Sequence, residues 1–238
     1  SRRLGMDPLY KAKRDKRPPE FYEEFGRLRE YIEQVWKDLG AIAVTQDYVE
    51  ADDVLAWLAH ESEDDLIIAS RDGDLGALNT EPGATNAHGA VIKTYNDGRL
   101  GGVVILSGEP FVHPYKHIHL YKALVGDSSD NIPGVKGFGP PAFQKLAEKY
   151  GYDGLDELAE HLAKGKLDAF QEMAEETVGK SQKLAHPLVK KILEFEADAV
   201  RSYKLAKLYP EWCNTMTKPV VFRPGKVAPT PGDADSRL

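Results

Sequence analysis

The chain has few of the residues that build disulfide-stabilised, zinc-binding or membrane-spanning proteins. Its single cysteine, Cys213, excludes an intramolecular disulfide, and one cysteine with seven histidines supplies no zinc-type cluster. No apolar run of about 18 residues is present, so the sequence predicts no membrane span. The basic first residues lack the apolar stretch of a signal peptide. These absences favour a reducing cytoplasm as the location.

The chain also lacks the excess of positive charge that is typical of nucleic-acid-binding proteins. Its formal net charge is −7 at pH 7. The charge is uneven, however, because residues 1–17 carry seven basic residues against two acidic ones, a local charge of +5. Such a segment can contact phosphates, and it can equally be a solvated basic tail. Composition alone leaves both interpretations open.

Apolar periodicity predicts helices and short strands that alternate in the first half of the chain. Apolar residues spaced by three and four indicate amphipathic helices, whereas short apolar runs indicate buried strands. The predicted order is a helix at about 20–39, a strand at 41–44, a helix at 51–61 and a strand at 66–69. We expect Val91–Tyr95 and Val103–Leu106 to form a strand pair, with a turn at Asn96-Asp97-Gly98.

The second half of the chain is predicted to be mainly helical. Helical periodicity covers the segments 114–125, 138–150, 153–164, 167–177 and 186–208. The proline-containing stretch 219–238 is predicted to be a strand followed by a loose tail. Alternating strands and helices followed by a helical block predict an α/β sheet with a helical lobe.

Three acidic clusters occur at predicted boundaries between elements. They contain Glu50, Asp52 and Asp53, then Asp72 and Asp74, then Asp127 and Asp130. Ligands of open α/β sheets gather beyond the carboxyl ends of the strands, where the first two clusters lie. Carboxylates brought together repel each other, and oxygen-only ligands favour Mg²⁺ or Mn²⁺. Each cluster alone is also explained by helix capping or turn formation.

Several motifs resemble the 5′-nuclease family, which includes bacteriophage flap endonucleases and the 5′–3′ exonuclease domain of bacterial DNA polymerase I. The string GDSSDNIPGVKGFG at 126–139 resembles the family signature, and EADD and SRDGD resemble its upstream acidic motifs. Tyr10-Lys11-Ala12-Lys13-Arg14 resembles the Y-K-x-x-R segment at the foot of the family's helical arch. The resemblance covers residues 1 to about 208.

The resemblance implies an α/β fold with a central, mainly parallel sheet flanked by helices. A PIN-like nuclease core with the basic arch segment would occupy residues 1–112, and helix 20–39 would belong to the arch. A helix–three-turn–helix lobe that binds DNA would occupy residues 113–210. A C-terminal strand and loose tail would occupy residues 211–238.

The resemblance also implies roles for individual residues in two-metal hydrolysis of DNA phosphodiesters. Two divalent ions, Mg²⁺ or Mn²⁺, would be held by Glu50, Asp52, Asp53, Asp72, Asp74, Asp127 and Asp130. Lys11 and Arg14 would face the scissile phosphate, and Tyr10 would stack on a base near the cut. The products would be a 5′-phosphate and a 3′-hydroxyl.

The hairpin of the helical lobe would hold duplex DNA without reading its sequence. The residues implied there are Gly134, Val135, Lys136, Gly137, Gly139 and Lys145, and a K⁺ ion would bind to hairpin carbonyl groups. Glycines let a backbone approach phosphates closely. Pro140-Pro141 follows Gly139 where the family places a lysine nearby, so the next basic residue is Lys145.

The sequence departs from the family pattern at its start. The family has one aspartate ligand on its first strand and a second on a later strand, and this sequence starts after both positions. The resemblance therefore predicts that the chain is a fragment, or that its N-terminal part is not resolved.

Three hypotheses follow: a structure-specific 5′-nuclease, a catalytically weak or inactive DNA-binding module, and a PIN-type ribonuclease. The hairpin argues against the third, because PIN domains lack it. We expect a free-standing monomer in a bacterium or a phage-infected host.

Overall fold

The computed structural model describes residues 1–14, 16–38, 44, 48–96, 98–101, 104–106, 108–167 and 187–213. It divides into two units, which are Ser1–Arg14 with Tyr48–Cys213, and Asp15–Asp47 with Asn214–Leu238. Apart from Val44 and Leu167, three predicted segments lie outside the described residues: the strand at 41–44, the helix at 167–177 and the tail at 219–238.

The first unit contains a three-stranded sheet that combines parallel and antiparallel pairing. Strand β1 (Leu66–Ala69) pairs in parallel with β2 (Ile92–Asn96), and β2 pairs antiparallel with β3 (Arg99–Leu100). A separate antiparallel pair joins β4 (Ile105–Leu106) to β5 (Glu109–Pro110). Strand β1 was predicted correctly, because its short apolar run is bounded by polar residues.

The predicted pairing of Val91–Tyr95 with Val103–Leu106 is wrong. The predicted turn is followed at once by β3, which takes the place beside β2 and is registered by the pair Asn96 and Arg99. Gly101, which has a positive φ of 58°, then donates its N–H to the Thr94 carbonyl. The strand at Ile105 is left to pair with its own neighbour.

Helix α1 (Arg2–Met6) and helix α3 (Ala51–Glu61) belong to the same unit as the sheet. Helix α3 begins after Glu50, and its first turn contains Asp52 and Asp53, whose charges suit the positive end of the helix dipole. A 3₁₀ helix (Gly73–Leu78) follows β1 directly. Acidic residues therefore lie at the start of α3 and at the start of the 3₁₀ helix.

In the described part of the helical lobe, four α-helices share a continuous apolar core. They are α4 (Ile118–Val125), α5 (Pro140–Lys164), α6 (Pro187–Glu194) and α7 (Glu196–Ala206), with short 3₁₀ helices at Tyr115–His117 and Pro210–Cys213. Helix α5 starts with two prolines after Gly139 and changes direction at Gly151, whose φ is positive. The predicted segments 138–150 and 153–164 are thus two parts of one kinked element.

The apolar core of the lobe includes a residue of strand β4, which lies beside the acidic clusters. Phe143, Leu146, Leu158 and Ile192 are fully buried and belong to one apolar cluster with Leu106 of β4. The same cluster contains Leu124, three residues before Asp127. Because this packing fixes α4, it also fixes the start of the loop that follows α4.

Helix α2 (Pro19–Asp38) belongs to the second unit and exposes its apolar stripe. Phe21 stacks on Phe25 with ring centroids 6.0 Å apart, and both rings are about half exposed. Leu28 and Ile32 continue the stripe. The predicted amphipathic helix at about 20–39 is confirmed. Among the described residues, no helix is both long enough and apolar enough to cross a membrane.

Candidate metal centre

Three aspartate side chains from two loops meet in one cleft of the first unit. Asp74, Asp127 and Asp130 each offer a carboxylate oxygen, and these oxygens lie within 4.8 Å of one another. The cleft has a volume of about 680 Å³, and Asp52 and Asp72 also line it. The sequence placed these five carboxylates in one site, and the structure brings them together.

The loop after α4 is shaped by its own backbone and side chains. Asp127 and Ile132 exchange two backbone hydrogen bonds of 2.9 and 2.8 Å, which close the turn between them. The Asp127 carboxylate accepts hydrogen bonds from the Ser129 N–H at 2.8 Å and from the Ser129 hydroxyl at 2.6 Å. This is the turn chemistry of an aspartate two residues before its donor. It holds the carboxylate in place before any ligand binds.

The loop after β1 presents the second pair of aspartates. The Asp72 carboxylate caps the 3₁₀ helix by accepting the Asp74 N–H at 3.0 Å. Burial raises the pKa of Asp52, and the nearby charge of Asp72 raises it further. The carboxylates therefore influence one another electrostatically, as the sequence predicted from their clustering.

Buried Lys122 contacts this cluster, and its role was not foreseen from the sequence. Its ammonium group lies against the carboxylates of both Asp74 and Asp127. Burial disfavours the ionised form of Asp127, but Lys122 and Ser129 outweigh burial and lower its pKa. A signal was present in the sequence, because Lys122 is the one charged residue of the apolar segment IHLYKALV, five positions before Asp127.

Burial has a measurable consequence at Asp74, where it raises the pKa to about 6 despite the attraction of Lys122. The folded protein therefore binds this proton more tightly than the unfolded chain does. The stability from this group is complete below pH about 4 and is lost as the pH rises through about 6.

We expect the metal-free protein to lose on the order of 2–3 kcal/mol of stability between pH 4 and pH 7 through this group. The variant Asp74→Asn should lack that component. Urea unfolding in EDTA across this pH range measures both proteins. Equal pH slopes for the two proteins would show that Asp74 titrates normally.

The basic segment lies against the same carboxylates. Lys11 Nζ donates to Glu50 at 2.7 Å and lies 3.8 Å from Asp130. Arg14 bonds to Asp130 at 2.5 Å, while 58% of its side chain stays exposed. Burial disfavours the ionised form of Glu50, but its hydrogen bond with Lys11 and the charge of Lys11 lower its pKa. The two predicted phosphate-facing cations thus lie at the aspartate cluster and pair with Glu50 and Asp130.

Asp53 is withdrawn from the predicted ligand set. Its side chain is fully buried, and Arg3 donates to both of its oxygens at 2.6 and 2.8 Å. The same carboxylate accepts the Tyr209 N–H at 2.7 Å. These bonds use the carboxylate in packing, so it is unavailable to the cleft. Arg3 was not singled out from the sequence, because one arginine within a basic segment carries no distinguishing signal.

The predicted stacking of Tyr10 on a base disagrees with its position. Only 3% of Tyr10 is exposed, and its hydroxyl lies 3.2 Å from both Glu50 and Asp130. The ring packs with Ile132, Leu205 and other residues of a small apolar cluster. Tyr10 therefore supports the carboxylates of the centre and has no open ring face for a base.

The predicted DNA-binding hairpin has exposed and buried members. Lys136, Gly137 and Lys145 are exposed, and Gly139 is half-buried. Val135 is 2% exposed and belongs to the lobe core, so its side chain is not available to DNA. Gly134 is also buried, and its N–H donates to the Ser202 hydroxyl at 3.2 Å.

Gly134→Ala is expected to destabilise the protein by at least about 2 kcal/mol. Gly134 has a φ of 66°, where a side chain costs about 1–2 kcal/mol, and an added Cβ would lie 2.5 Å from the Gly126 nitrogen. Gly139→Ala is the matched control, because its nearest neighbour would be Pro141 at 3.8 Å. Thermal unfolding compares the two, and equal losses would contradict this account of the hairpin.

Comparisons with known proteins identify the family. A sequence model described as the N-terminal resolvase-like domain of 5′–3′ exonuclease matches residues 1–97. A second model, described as the C-terminal SAM fold of 5′–3′ exonuclease, matches residues 112–218.

Curated relatives are longer than this chain. DNA polymerase I of Rhizobium leguminosarum is 34% identical over 163 residues, covering 66% of this chain and 14% of that protein. The 5′–3′ exonuclease of Mycoplasma pneumoniae is 30% identical over 175 residues, covering 67% of this chain and 56% of that protein. The chain therefore spans less than two thirds of the length of either relative.

Solved structures show the same fold at low sequence identity. T5 5′-exonuclease with bound zinc has a TM-score of 0.56 and 21% identity, covering 89% of this chain and 71% of that chain. The bacteriophage T5 flap endonuclease in complex with DNA and metal ions has a TM-score of 0.52 and 19% identity, with the same coverage. The likeness and the domain descriptions confirm the predicted α/β core followed by a helical lobe. Because two models of one family follow each other along the chain and leave only 98–111 and 219–238 unmatched, the chain belongs to the 5′–3′ exonuclease family.

Proposed function

We propose that this protein is a structure-specific 5′-nuclease that hydrolyses DNA phosphodiesters near a 5′ end. The observation that carries the proposal is the meeting of Asp74, Asp127 and Asp130 with Lys11 and Arg14 in one cleft. Acidic side chains can hold cations there, and the two basic side chains can bind the phosphate. Neither group alone distinguishes a nuclease from a structural ion-pair network.

The residues present fit a divalent metal centre. All donors are carboxylate oxygens, which suit Mg²⁺ or Mn²⁺. The ammonium of Lys122 between Asp74 and Asp127 shows that a cation is already accommodated by these oxygens. We propose two divalent ions, held by Asp74, Asp127 and Asp130 and by the neighbouring acids. The remaining acids of the proposed set are Glu50, Asp52 and Asp72.

Bound divalent ions would activate a water molecule and stabilise negative charge on the transferring phosphoryl group. The water oxygen would form the new bond to phosphorus, and the bond to the 3′ oxygen would break. Lys11 and Arg14 would bind the non-bridging oxygens as their negative charge grows. Arg14 is exposed enough to exchange Asp130 for a phosphate.

The helical lobe would hold the duplex on one side of the cut. The exposed hairpin residues Lys136, Gly137 and Lys145 support this role, together with the DNA bound to the T5 relative. A K⁺ ion at the hairpin stays a prediction, and at the Gly137 carbonyl it would compete with Lys191 Nζ, which donates to that oxygen at 3.1 Å. We further propose a monomer that works in the cytoplasm of a bacterium or a phage-infected cell.

A DNA-binding module with little catalysis is the second candidate. The pairing of Lys11 with Glu50 and of Arg14 with Asp130 favours it, because these cations are not free in the structure. Such pairs would weaken catalysis if phosphate could not replace them. DNA binding through the hairpin would survive.

The experiment uses a 5′-labelled flap duplex with Mg²⁺, Mn²⁺ or EDTA, and a gel shift in Ca²⁺ on the same samples. Metal-dependent cutting near the flap junction, with a 3′-hydroxyl on the released labelled strand and a 5′-phosphate on the strand left in the duplex, supports the nuclease. A gel shift without cutting supports the binding module. Neither cutting nor binding would refute both functions for this chain.

A further inference from the structure

Lys122 occupies an unusual position for a lysine. It lies in the last turn of α4, where the negative end of the helix dipole favours a cation, and only 8% of the residue is exposed. Its ammonium group contacts Asp74 and Asp127, which belong to the candidate metal centre. Lysine is rarely buried unless it is paired, so this placement reflects the acids around it.

The cluster needs positive charge when no ion is bound. Asp74, Asp127 and Asp130 place three carboxylates within a few ångströms, in a partly buried cleft where their repulsion is weakly screened. Arg14 forms an ion pair with Asp130, whereas Asp74 and Asp127 both form ion pairs with Lys122. Lys122 therefore compensates the two acids that Arg14 does not reach.

A divalent ion would compete with Lys122 for the carboxylates of Asp74 and Asp127, since the other Asp127 oxygen already accepts two hydrogen bonds from Ser129. A small ion such as Mg²⁺ demands near-octahedral oxygen contacts at about 2.0–2.1 Å, which leaves no space for an ammonium group between the same two carboxylates. The like charges of ion and ammonium would also repel each other. The lysine must therefore withdraw when the ion arrives.

We propose that Lys122 is a resident counter-ion of the aspartate cluster, which a divalent ion displaces and which thereby sets the affinity of the protein for that ion. This inference rests on the proposed metal centre. It assigns Lys122 to holding the metal-free site together and to opposing metal binding. Its removal should therefore weaken the metal-free protein and strengthen its metal complex.

The test measures Mn²⁺ binding to the 238-residue protein without DNA, by calorimetry and by the Mn²⁺ paramagnetic resonance signal. Lys122→Met removes the charge, and Lys122→Arg keeps it. Lys116→Met is the matched control, because it removes a lysine charge that pairs with Asp156 on the exposed surface. If Lys122→Met does not fold, Lys122→Gln carries the same test.

We expect Lys122→Met to bind Mn²⁺ at least tenfold more tightly than the wild type. Its melting temperature should fall in EDTA, and saturating Mn²⁺ should raise that temperature more than it does in the wild type. Lys122→Arg and Lys116→Met should bind Mn²⁺ like the wild type. Unchanged or weaker binding by Lys122→Met would overturn the inference and leave the metal centre standing. Absence of Mn²⁺ binding in both the wild type and Lys122→Met would overturn the metal centre and the inference together.

Discussion

Asp130→Asn is expected to reduce metal-dependent cleavage of a 5′-flap duplex by at least about 1,000-fold. The Asp130 carboxylate has three kinds of neighbour. It belongs to the aspartate cluster, it accepts a hydrogen bond from Arg14 at 2.5 Å, and it lies 3.2 Å from the Tyr10 hydroxyl. Asparagine keeps the size of the side chain but removes the charge. Loss of about 4 kcal/mol of transition-state stabilisation corresponds to this factor.

Single-turnover cleavage with enzyme in excess isolates the chemical step from product release. Asp198→Asn is the matched control, since Asp198 is 45% exposed and pairs only loosely with Arg201 at 3.2 Å. We expect that control to cleave at the wild-type rate. An Asp130→Asn protein that cuts within tenfold of the wild type would place the chemistry outside this cluster.

Arg3→Met is expected to reduce the free energy of unfolding by about 3–5 kcal/mol. The guanidinium group forms two bonds to buried Asp53 and further bonds to the Leu205 and Lys207 carbonyls at 3.0 and 2.6 Å. Removing it leaves the Asp53 charge buried without its partner, which is the costly way to break a buried ion pair. Urea unfolding measures the loss.

A double-mutant cycle separates the ion pair from the packing. Arg3→Met with Asp53→Leu removes both charges, so we expect it to regain most of the stability lost by Arg3→Met alone. Arg2→Met is the control, because Arg2 is exposed and its guanidinium group lies 5.4 Å from the centre of the Trp212 ring. It should cost no more than about 1 kcal/mol. Additive losses in the cycle would show that Arg3 acts through packing alone.

The elements that the sequence predicted are those whose signals are local. Helix α3 and strand β1 follow from short apolar patterns with polar boundaries, and the loop at Asp127 follows from its own turn chemistry. The aspartates that reach the cleft were predicted from their places beside strands and helices: Asp72 and Asp74 closely follow a strand, Asp127 and Asp130 closely follow a helix, and Asp52 lies in the first turn of a helix. Recognition of the family signature joined these local signals into one site.

What failed depends on contacts between distant parts of the chain. Asp53 has the same local pattern as Asp52, and only the approach of Arg3, fifty positions away, takes its carboxylate from the cleft. Lys122 could not be assigned because its partners lie on two different loops. The strand partner of β2 was misjudged for a related reason, since β3 is only two residues long and has almost no apolar signature.

The close contact between Gly134 and Gly126 joins the hairpin to the aspartate loop. Val135 donates its N–H to the Leu124 carbonyl at 2.8 Å, and the bonds between Asp127 and Ile132 complete the connection. A surface that holds duplex DNA and a centre that cuts it would thus form one rigid piece. The distance between the bound duplex and the centre would then be constant. The cut would fall at a constant step from the paired region, whatever the length of the single strand beyond it.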